Sequence, residues 1–280
     1  MPELPEVHTI TKDLNSTLKG AEIVDTKITG SYIIEPNNEL FRQKTKQAEI
    51  TGFHRVAKNI ILQLNSNDYI STHLGMTGKM LIRKPSHPPD LHLRVLFILY
   101  INGKTAHLRF CDTRMFGRMK LLSKEEYQEL KHSYGPEPIN SNLTPEEFFK
   151  TIRSKKTNIK NVLLDQKKIS GLGNVYATDA LWLAKIHPET NTQAISLEQA
   201  KVLLSSARDI LQEGIKNRGI SMSDYVDAFG NKGKQQEYFR VYQQEKCRIC
   251  QADIEFITLN GRGTYFCPVC QIKNNQERLI

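Results

Sequence analysis

A chain of 280 residues with 25% charged side chains is long enough for two cored domains, and it carries no apolar run of membrane-spanning length. Lys+Arg 39 against Asp+Glu 30 leaves a net charge of +9, which favours a polyanionic partner, nucleic acid first. The acidic start lacks an apolar leader, and five cysteines fall as isolated Cys111 plus two close pairs, so a secreted, disulfide-built protein is disfavoured and a soluble cytoplasmic one expected.

The first six residues, Met1-Pro2-Glu3-Leu4-Pro5-Glu6, hold the first candidate chemistry. Were Met1 removed, Pro2 would be a secondary amine with an ordinary pKa near ~8, partly unprotonated and nucleophilic at neutrality. Glu3 and Glu6 beside it could protonate a leaving atom. Taken alone, the same residues also make an ordinary helix start. Val7, Ile10, Leu14 and Leu18 keep helical spacing and predict a helix over Pro5–Leu18, stopped at Gly20.

From Ala21 to Leu122 the pattern is mainly of strands: Glu22–Ile28, Ala48–Arg55, Asn59–Leu64, Tyr69–Leu74, Lys79–Arg83, Leu93–Ile101, Thr105–Cys111 and Arg118–Leu122. Short strands with turn-like breaks predict an antiparallel sandwich. Two stretches at its loops, His73–Lys79 and Asp112–Arg118, carry Met76, Arg114 and Phe116, whose shapes suit wedges that fill a gap in a base stack. Burial in the core is the simpler reading of Met76 and Phe116 singly.

A short helix over Lys124–Lys131 precedes a breaker-rich boundary, and helices follow from Thr144, over Ile159–Gln166, over Asn174–Ala184 and from Ser196 to Asn217. Between the second and third lies Ile169-Ser170-Gly171-Leu172-Gly173-Asn174, a glycine turn opening a helix, suited to a phosphate. Lys155, Lys156 and Lys160 precede it, as added cations or as a solvated face. Arg218–Gln236 reads as a long loop, functional or disordered.

The strongest motif is Cys247-Arg248-Ile249-Cys250, sixteen residues, then Cys267-Pro268-Val269-Cys270. Two such knuckles suit one structural zinc with no open coordination position, on a hairpin of Ile254–Thr258 and Thr264–Phe266. Its tip, Asn260-Gly261-Arg262-Gly263, offers an arginine to a phosphate or to solvent.

Together these motifs resemble the formamidopyrimidine-DNA glycosylase and endonuclease VIII family: Pro-Glu-Leu-Pro-Glu at the start, Lys58, His-Leu-Gly-Met, Asp-x-Arg-x-Phe-Gly, Gly-Pro-Glu-Pro, Gly-Leu-Gly-Asn and the four-cysteine finger occur in the family's order. The resemblance implies an α+β multidomain fold: an N-terminal antiparallel β-sandwich flanked by helices, a helix-two-turn-helix domain and a C-terminal zinc β-hairpin, with DNA in the cleft between domains. It divides the chain into a catalytic domain (1–132), a linker (133–143), a helix-two-turn-helix domain (144–240) with a lesion-capping loop (218–236), and a finger (241–280).

By the same resemblance Pro2 is the nucleophile, Glu3 the proton donor, Lys58 the lysine of the lyase steps and Arg262 the phosphate grip. His92, Lys155, Asn174 and Arg114 are implied DNA contacts, and Met76, Arg114 and Phe116 fill the vacated stack. The implied enzyme excises oxidised purines from duplex DNA and cuts the abasic strand by β,δ-elimination, as a monomer with one zinc and no small-molecule cofactor. An endonuclease VIII-like preference for oxidised pyrimidines and a non-catalytic damage-binding finger are the alternatives. Leu4 favours the purine branch, because the endonuclease VIII start is typically Pro-Glu-Gly-Pro-Glu. Departures from the family pattern are His8 for the usual glutamate, the Val56-Ala57-Lys58-Asn59 setting of Lys58, and the flanks of His92.

Overall fold

The computed structural model describes residues 1–273, and the predicted finger segment beyond residue 273 lies outside them. Chain contacts gather into two units: Met1–His132 with Ile215–Gln236, and Ser133–Gly214 with Glu237 onward.

In the first unit, helix α1 (Leu4–Leu18) has Pro5 in its first turn, and Glu3 and Glu6 form a capping box. Its apolar face, Val7, Ile10, Leu14 and Leu18, is fully buried. Strands β1 (Glu22–Ile28), β2 (Ile50–Val56), β3 (Asn59–Leu64), β4 (Tyr69–His73), β5 (Lys79–Arg83), β6 (Leu93–Ile101), β7 (Lys104–Cys111) and β8 (Arg118–Leu122) form two antiparallel four-stranded sheets, ordered β1-β6-β7-β5 and β2-β3-β4-β8. Ile60, Leu62 and Ile70 of one sheet share a core with Val95, Phe97 and Phe110 of the other, which makes the sandwich.

Sequence patterning missed α2 (Asn38–Thr45). Its signal was short but present: the Asn37 side chain caps it by accepting from the Leu40 N–H at 2.8 Å, and only Phe41 and Thr45 are buried. Helix α3 (Lys124–His132) follows β8.

The second unit contains α4 (Pro145–Arg153), α5 (Ile159–Leu164), α6 (Asn174–Leu183) and α7 (Leu197–Lys216), then the hairpin β9 (Glu255–Leu259) and β10 (Arg262–Phe266). Thr144 and Glu147 make the expected capping box of α4. The end of α7 and the 218–236 segment, placed with the helical domain by sequence, pack with the first unit instead. The cause is polar: Arg218 pairs with Asp227 at 2.6 Å and with Asp13 of α1 at 2.5 Å, and Ala228 O accepts from Ile82 N at 2.8 Å on the free edge of β5. The loop is therefore tied down at its base and its tip.

Candidate nucleic-acid site

Pro2 and Glu3 are both buried at the start of α1, whereas Met1 is 53% exposed. Glu6 Oε2 accepts the Glu3 N–H at 2.7 Å, which fixes the backbone beside Pro2. In the chain as written the Pro2 nitrogen is acylated by Met1, so its nucleophilicity depends on removal of that residue.

Lys58 is buried in the two-residue turn between β2 and β3, where Val56 pairs with Asn59 and Ala57 takes a φ of 51°. Asn59 Nδ2 donates to Val56 O at 3.1 Å and Arg55 Nη1 to Ala57 O at 2.7 Å, so the turn is braced from both strands. His73, which pairs with Asn59 across β3 and β4, lies close enough to feel Lys58. Burial, then the charges of Lys58 and Arg118, push its pKa down, and its Nδ1 accepts the Gly75 N–H at 3.1 Å. The ring is thus held neutral.

The wedge candidates come together on the surface. Asp112, fully buried, accepts the Gly117 N–H at 2.7 Å, the Arg114 N–H at 3.3 Å and the Thr77 hydroxyl, and so joins the two loops. A Cβ on Gly75 would come within 2.7 Å of the Phe116 backbone, so glycine permits the approach. Arg114 Nη1 lies 3.5 Å from Met76 Sδ, and its guanidinium sits 4.6 Å above the Phe116 ring. Met76 is 43% and Phe116 52% exposed, so neither is a core residue. Met115 beside them, exposed with a φ of 57°, was not singled out by sequence. His92 is exposed with a φ of 58°, and its carbonyl accepts the Asp112 N–H at 3.0 Å, which places it next to the same loop.

In the second unit the glycine turn is held by Gln166, whose side chain accepts the Gly171 N–H at 2.9 Å and donates to Leu172 O at 2.8 Å. Asn174, at the start of α6, donates to Gly263 O at 2.9 Å and so sets the turn against the hairpin. Lys160 is not a solvated-face residue: it is 1% exposed, and its ammonium donates to Thr264 Oγ1 at 2.7 Å. Arg262 is not on the turn either. Asn260 and Gly261, with φ of 49° and 72°, make a two-residue hairpin turn, and Arg262 is the first residue of β10, paired with Leu259 and exposed. Lys155 is exposed, its carbonyl accepting the Thr192 hydroxyl at 2.7 Å.

The sulfurs of Cys247, Cys250, Cys267 and Cys270 all lie within 4.8 Å of one another, with Cys250–Cys267 at 3.4 Å and Cys247–Cys270 at 3.8 Å. Four thiolates about 2.3 Å from one zinc would stand roughly 3.8 Å apart, so the donor set fits that ion. Trp182 Nε1 donates to Cys247 Sγ at 3.4 Å, a hydrogen bond that suits a thiolate.

A sandwich unit with an exposed Met–Arg–Phe cluster and a helical unit whose glycine turn is fixed to a four-cysteine hairpin mark the class, a zinc-finger DNA-binding protein. The comparisons narrow the class. Residues 1–119 match the formamidopyrimidine-DNA glycosylase N-terminal domain, 134–226 its H2TH domain, and 244–272 a zinc finger found in FPG and IleRS. Formamidopyrimidine-DNA glycosylase of Chloroflexus aurantiacus is 38% identical, with 99% of each chain covered, and that of Protochlamydia amoebophila 38%, covering 98% of this chain and all of the relative. The Lactococcus lactis Fpg bound to DNA with an abasic site superimposes with a TM-score of 0.90 at 33% identity, over 97% of this chain and 100% of that one. The wild-type Lactococcus lactis Fpg with DNA carrying N7-benzyl-Fapy-dG gives 0.89 at 34%, with the same coverage. The chain belongs to the formamidopyrimidine-DNA glycosylase family.

Proposed function

We propose that this chain acts in base excision repair as a DNA glycosylase and abasic-site lyase on oxidised purines, through the amine of Pro2. Family membership over the whole chain supports the activity. The observation that carries the assignment of the site is the start of α1, where Pro2 and Glu3 are buried together and Glu6 holds the backbone between them.

Once Met1 is gone, the Pro2 lone pair attacks C1′ and the bond to the damaged base breaks, the base leaving with a proton. Glu3 protonates the sugar ring oxygen, the ring opens, and an iminium links Pro2 to C1′. Loss of a C2′ proton then expels the 3′ phosphate, and a second elimination expels the 5′ phosphate. Lys58 assists these lyase steps, and Arg262 grips a phosphate near the lesion. Met76, Arg114 and Phe116 occupy the gap left by the extruded nucleotide, while His92, Arg114, Lys155 and Asn174 contact the DNA. The zinc holds the hairpin that presents Arg262 and takes no part in the chemistry.

Borohydride present during incubation with 8-oxoguanine duplex should trap one covalent complex per active chain, and peptide mapping should place it at Pro2. The mature mass must first show loss of Met1. A processed chain that cuts nothing in a panel of 8-oxoguanine, formamidopyrimidine, thymine glycol and abasic duplexes would overturn this function. Faster cutting of thymine glycol than of the purine lesions would move it to the pyrimidine branch.

A further inference from the structure

Glu6 is 2% exposed, and its two carboxylate oxygens serve segments far apart in the chain. Oε2 accepts the Glu3 N–H at 2.7 Å, and Oε1 accepts the Ile220 N–H of the 218–236 loop at 2.8 Å. Gly219, with a φ of +83°, lies so close that an added Cβ would stand 2.7 Å from Glu6 Cγ and Oε1. The Tyr225 hydroxyl donates to Arg218 O at 3.0 Å and lies 3.5 Å from Glu6 O. One capping bond would be enough to start the helix. The second oxygen does something else: it fastens the loop to the residue that follows the nucleophile. Asp13, seven residues on and therefore on the same face of α1, holds the loop again through Arg218.

We infer that Glu6 is a positioning residue for the glycosylase step, coupling the placement of the 218–236 loop to the orientation of Pro2 and Glu3. When the loop is seated, the Ile220 N–H fixes the Glu6 carboxylate, and the carboxylate fixes the Glu3 backbone. When the loop lifts, the Glu6 carboxylate loses its bond to the Ile220 N–H, and the hold that it passes to the Glu3 backbone and the nucleophile weakens. The base-side loop and the sugar-side chemistry thereby respond to each other through one side chain.

This inference rests on the proposed glycosylase activity, and its test separates the two. In Glu6→Gln the amide oxygen can accept one N–H while the NH2 meets the other donor, so one anchor is lost. With enzyme in excess, trapping on 8-oxoguanine duplex should slow about tenfold or more, as small misplacements of reacting groups do, while Kd for the same duplex stays within about twofold. Glu6→Asp, too short to span both amides, should behave alike. Gly219→Ala should push the loop off Glu6 without touching Glu3, give the same slow trapping, and add nothing when combined with Glu6→Gln. In DNA-free protein, hydrogen exchange at the Glu3 amide should speed up in Gly219→Ala.

Defects that multiply in the double variant, or unchanged trapping in Glu6→Gln and Glu6→Asp, would overturn the coupling. Glu3 exchange unmoved in Gly219→Ala would overturn it as well, whatever the activity. A wild-type chain that traps nothing would instead strike the functional reading, leaving the coupling to be decided by the exchange result.

Discussion

Single side chains in this fold do work that their residue type does not announce. His73 ends β4, and burial, with Lys58 and Arg118 nearby, depresses its pKa below the usual 6.5. The folded ring stays neutral where the unfolded ring takes a proton. Its stabilising contribution is complete above about pH 6.5, the unfolded value, and is lost as pH falls from there through the folded value. Protonation in the fold would also put a second positive charge beside Lys58. Urea midpoints at pH 7.5 and 5.5 should therefore fall further in wild type than in His73→Gln, and equal falls would contradict a depressed histidine. Lys160 is a similar case. Its neighbours Lys155 and Lys156 are exposed, whereas Lys160 is buried against Thr264 by contacts that span more than a hundred residues of sequence.

At the scale of elements, legibility followed the range of the interactions. The cap of α4, the strand boundaries of β1, β3, β5, β6 and β8, and the cysteine knuckles are local signals and could be read directly. The ordering of 218–236 could not, because it depends on Asp13, Glu6 and Ile82, each more than a hundred residues away. Nor could the exposure of Met76 and Phe116, since an apolar side chain in a loop carries no local mark of whether it faces solvent. The position of Arg262 was misjudged by one turn type: an Asn-Gly pair in which both residues take positive φ closes the hairpin in two residues and leaves the arginine on the strand.

The zinc hairpin is the element whose stability is most separable. Structural zinc is worth on the order of 10 kcal/mol to small fingers near neutrality, far more than β9 and β10 could supply alone. Cys250→Ser or chelation should release one zinc per chain, remove amide protection across β9 and β10, and abolish DNA binding, while amides of the sandwich remain protected. Retention of both zinc and binding by Cys250→Ser would refute the site.

For the molecule as a whole the decisive quantity is the net charge of +9, because it predicts attraction to any duplex but no choice among duplexes. Affinity and selectivity should therefore be carried by different residues. Lys155 and Arg262 are exposed cations of the second unit and are proposed here as phosphate contacts, and neutralising a phosphate releases a counterion. Removing either as Ala should weaken binding to damaged and undamaged duplex alike and lower the slope of log Kd against log salt by about one. Met76 and Phe116 are uncharged and release no counterion. Met76→Ala and Phe116→Ala should leave the slope unchanged and instead reduce the preference for the lesion, by about 1–3 kcal/mol if each forfeits contact with an unstacked base. Titrations of both duplexes between 50 and 200 mM salt would separate the two behaviours. A slope altered by Met76→Ala as much as by Lys155→Ala would mean that the loop carrying Met76 governs the placement of the charges, and the division between holding the backbone and filling the gap would fail.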